Sequence, residues 1–388
     1  MENLRRQAIH SSVCALLLSC VGLLPVWAQA QTPIPTPAEA MALEQQGKLE
    51  EAAQAWRAVV QHNPNDAEAY ASLGVVLSKE QKYPEAAKAY RKSLALNPKL
   101  PGVQLNLGLA EFKQGQFDAA IPALRAALTE DPHNLQVTAL LGLSYYGVKR
   151  FVEASNYLKV VAEADPANTE LHQTLAQSCL LAKEFSCALD EFRKLQQINP
   201  NSAAVHIFMG EALDGEGKTE EAIAEFQAAL KLAPQEPNLH FGLGYLDWKA
   251  HKYDEAVGAF EAELAIDPKN AQALTYLGDV AMKKDDPEKA MEYLRKATAL
   301  RDDIRLAYLD MGSILVDQKQ FPQALAALKQ AVKLDPDQPD AHFRLGHIYT
   351  LMGDDAMADK EFAKVRELKQ KEEKQEEDVA SKLKSAAP

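Results

Sequence analysis

Apolar residues recur along most of the chain three and four positions apart, which is the spacing of an amphipathic α-helix. One such series is Leu73, Leu77, Ala86, Tyr90 and Leu94. Between the series stand short polar stretches in which Asn and Asp flank a proline, and these residue types supply helix caps and turns. The pattern therefore predicts an all-α chain in which helices are joined by short turns.

The helical pattern repeats every 34 residues from Ala38 onward, without insertion or deletion. One alanine marks each of ten successive repeats: Ala52, Ala86, Ala120, Ala154, Ala188, Ala222, Ala256, Ala290, Ala324 and Ala358. A proline follows this alanine by twelve residues in eight repeats, and a glycine precedes it by twelve residues in eight. Small residues let two antiparallel helices approach closely, and proline ends a helix because it has no N–H to donate. Each repeat is therefore predicted to be a helical hairpin.

The marks of each repeat resemble the signature of the tetratricopeptide repeat. That family has Leu and Gly together in the first helix, and the chain carries the pair as Leu73-Gly74, Leu107-Gly108, Leu141-Gly142, Leu243-Gly244, Leu277-Gly278 and Leu345-Gly346. The family also has a large, often aromatic residue in the second helix, here Trp56, Tyr90, Phe192, Phe226, Phe260 and Phe362. Departures are few: Ala40 and Ala176 stand at the glycine position, and Asp302 and Gln370 at the proline position. The resemblance implies an all-α, right-handed superhelical solenoid of about ten helix-turn-helix repeats.

The repeats predict a simple division of the chain. A Pro-rich linker occupies residues 31–37, the repeats occupy residues 38–372, and a charged C-terminal tail follows at 373–388. In the 34-residue register, the ten repeats are 33–66, 67–100, 101–134, 135–168, 169–202, 203–236, 237–270, 271–304, 305–338 and 339–372. The first helix of the first repeat is expected to begin near Ala38, because alternating prolines precede it.

Residues 1–30 have the features of a secretory signal peptide. A pair of arginines gives a positively charged start, and residues 13–24 form a short apolar run. Ala28 and Ala30 are small residues at the two positions that a signal peptidase recognises. Cleavage after Ala30 is predicted, which makes the protein exported and periplasmic or envelope-associated. The apolar run is shorter than the ~20 residues of a comfortable membrane span, so no integral span is expected after cleavage. An uncleaved anchor and a lipoprotein modified at Cys20 stay open as alternatives.

Composition and charge exclude some classes of partner. Hydrophobic residues make up 47% and charged residues 25% of the chain, as in an ordinary soluble folded protein. The formal net charge of −13 argues against nucleic acid as a partner, because backbone phosphates require a basic footprint. The sequence contains no nucleophile elbow, zinc-binding helix motif or phosphate loop, and Gly215-Glu216-Gly217-Lys218 coincides with the turn of repeat six. No catalytic residue, cofactor or metal site is predicted.

The resemblance also implies where a partner would bind. In the family, first helices line a concave groove, and the second, fifth, ninth and twelfth positions of each repeat point into it. In repeats six to eight these positions and their close neighbours carry aromatic rings interspersed with carboxylates. The candidate contacts are Phe208, Glu211, Asp214, Phe241, Tyr245, Trp248, Tyr276 and Asp279. Such a surface suits a protein or an extended peptide with apolar and basic side chains. The alternative is that several of these rings only fill gaps between helices.

Four histidines occupy the fourth position of their repeats: His172, His206, His240 and His342. A metal site built from them is unfavourable, because neighbouring repeats lie roughly 10 Å apart whereas zinc needs its ligand nitrogens ~2 Å from one ion. The family places a bulky, often aromatic residue here. A packing role is therefore predicted.

Cys179 and Cys187 lie on opposite sides of the turn in repeat five and form a candidate disulfide. The first position is usually in the core, whereas the second is Glu in most other repeats and is expected to face solvent. That placement argues against a bond, because the two side chains have to converge. Export, in contrast, permits pairing and makes an exposed free thiol unfavourable. Both readings stay open.

The sequence thus predicts a non-catalytic scaffold of the cell envelope that binds a protein or peptide segment in its concave groove. The alternative is an assembly factor of a pilus, secretion or outer-membrane complex, for which the convex face and the repeat ends would matter as much. An enzyme with an unrecognised site is a remote third hypothesis.

Overall fold

The structure is a computed structural model that describes residues 34–385 of the 388-residue chain. The predicted signal peptide at 1–30 lies outside the described residues. Within them, all regular secondary structure is helical, in twenty α-helices joined by short turns. The all-α, helix-turn-helix class predicted from the apolar spacing is therefore confirmed. Among the helices of this described part, none has both the length and the hydropathy that crossing a bilayer requires.

The described residues of the first compact unit, 34–100, form four helices. They are α1 (Pro37–Gln45), α2 (Leu49–His62), α3 (Ala67–Lys79) and α4 (Tyr83–Leu96). Trp56 and Tyr90 are almost completely buried in its core. Gly74 of α3 faces the Tyr90 ring so closely that a Cβ built on it would lie 2.5 Å from Cε1. The glycine therefore leaves room for the ring, as the pairing of small and large residues in the repeat predicts.

The second compact unit, residues 101–388, contains sixteen helices in its described part. They are α5 (Val103–Lys113), α6 (Phe117–Glu130), α7 (Leu135–Gly147), α8 (Phe151–Ala164), α9 (Thr169–Leu181), α10 (Phe185–Ile198), α11 (Ala203–Gly215), α12 (Thr219–Leu232), α13 (Leu239–Lys249), α14 (Tyr253–Ile266), α15 (Ala271–Lys283), α16 (Pro287–Leu300), α17 (Arg305–Asp317), α18 (Phe321–Leu334), α19 (Pro339–Met352) and α20 (Asp355–Ser385). Each helix packs on the next one along the chain. The last helix continues past residue 372 into the predicted tail.

The core of the second unit is built from alternating small and large side chains. The repeat alanines from Ala120 to Ala324 are fully buried, and so are large residues of the second helices such as Leu294 and Phe260. A Cβ built on Gly278 would lie 2.7 Å from Cδ2 of Leu294. Close-packed interiors of this kind tolerate extra atoms poorly, so the small residues fix how closely each hairpin closes.

Turn geometry repeats as regularly as the core. The residue at position fifteen of each repeat has a left-handed backbone, with φ between 58° and 77° in the second unit. Glycine fills this position in three of those repeats, whereas Lys149, Lys183 and Lys319 are among the residues that fill it in the others. Four first helices of this unit, α7, α9, α11 and α15, are capped by a side chain, and Asn134, for example, accepts a hydrogen bond from the backbone N–H of Val137 at 3.1 Å.

Candidate functional site

The predicted contact residues lie on consecutive first helices of the second unit. Phe208, Glu211 and Asp214 are on α11, the residues from Phe241 to Trp248 are on α13, and Tyr276 and Asp279 are on α15. First helices of neighbouring repeats lie side by side, because α13 contacts α15, α15 contacts α17, and α17 contacts α19. We call the surface formed by α11, α13, α15, α17 and α19 the first-helix face.

Five rings from repeats seven and eight form one aromatic cluster, consisting of Phe241, Tyr245, Trp248, Phe260 and Tyr276. The Tyr276 ring is its centre, with centroids at 5.1 Å from Trp248, 5.6 Å from Tyr245 and Phe260, and 5.8 Å from Phe241. The contacts with Trp248 and Tyr245 are edge-to-face, and the contact with Phe260 is stacked. Each such pair contributes ~0.5–1.5 kcal/mol of stability in addition to the free energy gained by burying its apolar area.

Exposure divides the aromatic cluster into a core and a surface layer. Phe260 is fully buried, whereas the other four rings are only half-buried. The rings therefore join repeats seven and eight and still present aromatic surface to solvent. The packing role and the contact role that the sequence left as alternatives are compatible in this geometry.

A carboxylate on the next repeat holds the Trp248 indole. The indole Nε1–H donates to Oδ2 of Asp279 at 2.5 Å, and the ammonium of Lys283 donates to Oδ1 of the same carboxylate at 3.1 Å. Lys283 also lies over the Trp248 ring, 5.8 Å from its centroid, within the range of a cation–π interaction. Asp279 itself is buried, and each of its two oxygens accepts a hydrogen bond from one of these internal donors.

Two titratable groups near this carboxylate have perturbed pKa values. Burial, reinforced by the nearby charges of Tyr245, Asp279 and Asp310, raises the pKa of Tyr276 to about 12. Burial, reinforced by Asp279, raises the pKa of Asp310 to about 7, although Arg344, Lys283 and Arg305 oppose the shift. Asp310 lies on α17 at the sixth position of repeat nine, as Tyr276 does in repeat eight.

The three predicted contacts on α11 have different surroundings. Phe208 stacks on Phe192, with centroids 5.5 Å apart, and is half-buried. Asp214 accepts from the Lys249 ammonium at 2.6 Å, and Glu211 is exposed. The structure thus brings four of the predicted residues together with Tyr276 and places these three on the neighbouring repeat. Whether any of the eight contacts a partner stays a prediction.

Asp310 and Lys283 were missed from the sequence. Asp310 stands between apolar residues at the sixth position of a predicted first helix. An acidic residue in such a setting is a sequence signal of a buried charge. Lys283 follows Asp279 by four residues, the spacing at which side chains meet on one helix face.

Three of the four fourth-position histidines are bonded to the second helix of their own repeat, whereas Nε2 of His240 lies 3.1 Å from the carbonyl oxygen of Pro234. Nδ1 of His206 lies 2.6 Å from Oε2 of Glu225, and His342 pairs with Glu361 at the same distance. His172 makes the equivalent hydrogen bond with Glu191. In each case the glutamate follows the histidine by 19 residues, so each bond joins the two helices of one hairpin.

Cys179 and Cys187 are joined in a disulfide, with their Cα atoms 5.8 Å apart. The expectation that Cys187 faces solvent and points away from Cys179 was wrong. Cys187 lies in the first turn of α10 and is only partly exposed, while Cys179 is buried near the end of α9, so the intervening turn brings the two side chains together. The Glu184 carboxylate and both sulfurs lie within 4.8 Å of one another, a spacing at which they could share a metal ion. The two sulfurs are bonded to each other, however, so neither is a thiolate ligand in this structure.

Comparison with known proteins finds no matching curated protein. Among solved structures, the crystal structure of the APC/C hetero-tetramer Cut9-Hcn1 is 16% identical, with a TM-score of 0.49, and the match covers 85% of this chain and 72% of that chain. The Pseudomonas aeruginosa pilF structure is 18% identical, with a TM-score of 0.47, and the match covers 52% of this chain and 91% of that chain. Likenesses at this level carry no information about activity.

Family models match most of the chain. A "TPR repeat" model matches residues 216–250 and 312–353, and two "tetratricopeptide repeat" models match 241–303 and 339–372. The model of the cytochrome c-type biogenesis protein H TPR domain matches residues 27–172. These matches agree with the helical hairpins and their 34-residue period, and the chain belongs to the tetratricopeptide-repeat family.

Proposed function

We propose that the protein is a non-catalytic scaffold that binds an extended peptide or protein segment along the first-helix face, in the concave groove expected of its family. The segment carries apolar and basic side chains. The observation that carries the proposal is the aromatic cluster, in which four rings are half-buried and one of them, Trp248, is bonded to the carboxylate of Asp279.

The chemistry of the aromatic cluster supports this role. Trp and Tyr are enriched among the residues that dominate binding energy at protein interfaces, because they bury a large area and lose few rotamers. The Trp248 indole is already fixed by Asp279, so binding has little further cost in ordering that ring. A segment lying across several repeats would bury ~1,200 Å² or more, which is enough for a specific complex.

We further propose that the protein is exported and works in the periplasm or at the cell envelope, after cleavage behind Ala30. The signal-like composition of residues 1–30 supports this location. The disulfide between Cys179 and Cys187 also supports it, because structural disulfides persist in oxidising compartments. The match of residues 27–172 to a domain of a cytochrome c biogenesis protein is consistent with the same compartment.

A second candidate function is an assembly factor for a complex of the envelope, such as a pilus, a secretion machine or an outer-membrane complex. The match to the cytochrome c-type biogenesis protein H TPR domain favours it, because that name describes assembly of another protein. In this function the second helices and the ends of the array would contact the complex as well.

The proposed groove is tested with peptides selected from a random display library on the wild-type protein. Binding of the selected peptides is then measured by fluorescence anisotropy on the Tyr245→Ala, Trp248→Ala double variant. We expect at least a tenfold loss of affinity, the effect of removing an interfacial hot spot of about 2 kcal/mol or more.

The matched control is the Val152→Ala, Val160→Ala double variant, in which both valines are 50% exposed on the second helix α8. It is expected to bind the same peptides within twofold. Circular dichroism verifies that both variants keep their helix content. Equal affinity of the wild type and the Tyr245, Trp248 variant would contradict binding at the first-helix face, and loss of affinity in the α8 variant alone would favour the second candidate.

A further inference from the structure

Repeat five contains a covalent bond that the helical hairpin itself does not require. The disulfide between Cys179 and Cys187 joins α9 to α10, and residues 34–388 contain no other cysteine. The remaining repeats of the 34-residue register form the same hairpin without a disulfide. Packing of the hairpin alone therefore does not explain why this cysteine pair is present.

The two sulfurs of the disulfide have different surroundings. Cys179 is 0% exposed in the apolar core near the end of α9, whereas Cys187 is partly exposed at the third residue of α10. A thiolate is favoured at the N-terminus of a helix and disfavoured in apolar surroundings. Cys187 is therefore the sulfur that an external thiol can attack, and Cys179 is the sulfur that is displaced into the core.

A cavity of about 380 Å³ opens beside Cys187. Its lining comes from α8, α9 and α10, and it combines the apolar Leu175 with charged residues of both signs, such as Lys159 and Glu163. Charged side chains keep a cavity of this kind hydrated. A cysteine of a partner segment thus has a path from solvent to Cys187, whereas Cys179 does not line the cavity.

A carboxylate lies beside the disulfide. One oxygen of Glu184 and the sulfurs of Cys179 and Cys187 are all within 4.8 Å of one another. The hydroxyl of Ser155, a buried residue of the preceding repeat, donates to Oε2 of Glu184 at 2.9 Å and so orients this carboxylate. A thiolate that is released into an apolar core requires a proton. A carboxyl group at this distance can transfer that proton directly or through one water molecule.

We propose that Cys187 and Cys179 form a thiol–disulfide exchange site that oxidises a cysteine pair of a partner protein. A thiolate of the partner attacks Sγ of Cys187, the bond between Cys179 and Cys187 breaks, and Cys179 leaves and takes up a proton through Glu184. The second thiolate of the partner then attacks the partner's own sulfur in the mixed disulfide. This step releases Cys187 and forms the partner's disulfide. Two electrons and two protons thereby pass from the partner dithiol to this chain, which ends as a dithiol.

This activity goes beyond the proposed peptide binding and does not rest on it. The cavity beside Cys187 is lined mainly by the second helices α8 and α10, whereas the proposed peptide lies on the first-helix face. A variant that loses peptide binding is therefore expected to keep the exchange activity.

The attack at Cys187 is tested with single-cysteine variants of the full chain, in which Cys14 and Cys20 are replaced by Ser. The Cys179→Ala variant retains Cys187, and the Cys187→Ala variant retains Cys179. Each variant is incubated with glutathione disulfide, and mass spectrometry follows the formation of the mixed disulfide with glutathione. We expect Cys187 to react at least about tenfold faster than Cys179, because it is the more exposed sulfur and lies at a helix N-terminus. Circular dichroism verifies that both variants are folded, and equal rates would overturn the proposal.

The complete exchange is tested on the protein with its disulfide intact, in the same background without Cys14 and Cys20. A synthetic peptide that carries a cysteine pair is added in increasing urea below the unfolding transition. We expect one peptide disulfide to form for each protein dithiol, at a rate that does not change with urea, because the attack occurs in the folded state. A rate that rises steeply with urea would overturn the proposal, since the bond would then react only after local unfolding. Absence of a reaction without urea would do the same.

The role of Glu184 is tested by comparing two reactions. Glu184→Gln is expected to slow reduction of the intact disulfide at least about tenfold. The same substitution is not expected to slow the glutathione reaction of Cys187 in the Cys179→Ala background, because no displaced Cys179 requires a proton there. Glu170→Gln, an exposed site on α9, is the matched control and is expected to leave both rates within about twofold. An unchanged reduction rate, or slowing of both reactions, would overturn the assignment of Glu184.

Discussion

The buried carboxyl of Asp310 is expected to make the stability of the protein depend on pH in a definite direction. Its pKa is raised to about 7 in the folded protein, whereas an aspartate in an unfolded chain has a pKa near 3.9. The folded state thus binds this proton more tightly than the unfolded state does. The stabilisation is fully present below about pH 4 and is lost as the pH rises through about 7.

The size of the effect follows from the two pKa values. One pKa unit corresponds to about 1.4 kcal/mol, so the full contribution of Asp310 is about 4 kcal/mol, of which about 3 kcal/mol is lost between pH 4.5 and pH 8. Asp310→Asn keeps the shape of the side chain and removes the titration. We expect the variant to gain about 3 kcal/mol relative to the wild type when the pH is raised over this interval.

Urea unfolding at the two pH values, followed by circular dichroism, measures this difference. Asparagine changes the local hydrogen bonding equally at both pH values, so only the change of the difference with pH is interpreted. Hydrogen exchange of the α17 amides localises the effect, because repeats of an array open in part independently. The exposed Asp317→Asn variant is the control and is expected to show no such change.

A constant difference between the Asp310 variant and the wild type at both pH values would refute the reasoning. It would mean that the Asp310 carboxyl ionises in the folded protein as easily as in the unfolded chain. The positive charges of Arg344, Lys283 and Arg305 would then fully offset its burial and the repulsion from Asp279.

Gly278→Ala is expected to lower the free energy of unfolding by about 1–3 kcal/mol, because its Cβ would meet Leu294. Gly258→Ala, with no atom within 4 Å of its Cβ, is expected to raise the free energy of unfolding by about 0.5–1 kcal/mol. Urea unfolding measures both changes, and changes of the same sign would contradict the prediction. Reducing the disulfide of Cys179, which closes a short loop, is expected to cost roughly 2–3 kcal/mol. A melting temperature unaffected by reductant would contradict this expectation. A double-mutant cycle on His206→Gln and Glu225→Gln is expected to give a coupling energy of about 1 kcal/mol at pH 7, and additive effects would show that the pair contributes nothing.

The fold was predictable from the sequence because each repeat specifies its own hairpin. Small residues such as Ala290 and Gly278 recur where two helices touch, and the opposing Leu294 supplies the volume that they leave. Apolar spacing, small residues and terminating prolines all indicate the same elements, so local and tertiary preferences agree. Because contacts in a repeat array are mostly between neighbours, correct elements lead directly to correct packing.

The side-chain bonds were harder to predict because they depend on orientation as well as on register. The cysteine pair illustrates the limit, since Cys187 occupies a position at which most other repeats have an exposed residue, yet its side chain is bonded to Cys179. The bond between His206 and Glu225 joins residues 19 apart. The sequence alone does not show that residues 19 apart are in contact, because that follows only from the geometry of the hairpin.

At position six of the repeat, the requirements of packing and of charge conflict beside the aromatic cluster. Position six of the repeat carries Tyr276 in repeat eight and Asp310 in repeat nine, so adjacent repeats place an aromatic ring and a carboxyl side by side on one face. The ring satisfies the packing between repeats, whereas the carboxyl does not, since it is buried and Oδ2 is unbonded. Packing alone would favour an apolar residue at 310, as at the neighbouring Leu309. Ionisation of Asp310 therefore lowers the stability of the folded protein, and the carboxyl is expected to keep its proton until the pH approaches its raised pKa of about 7.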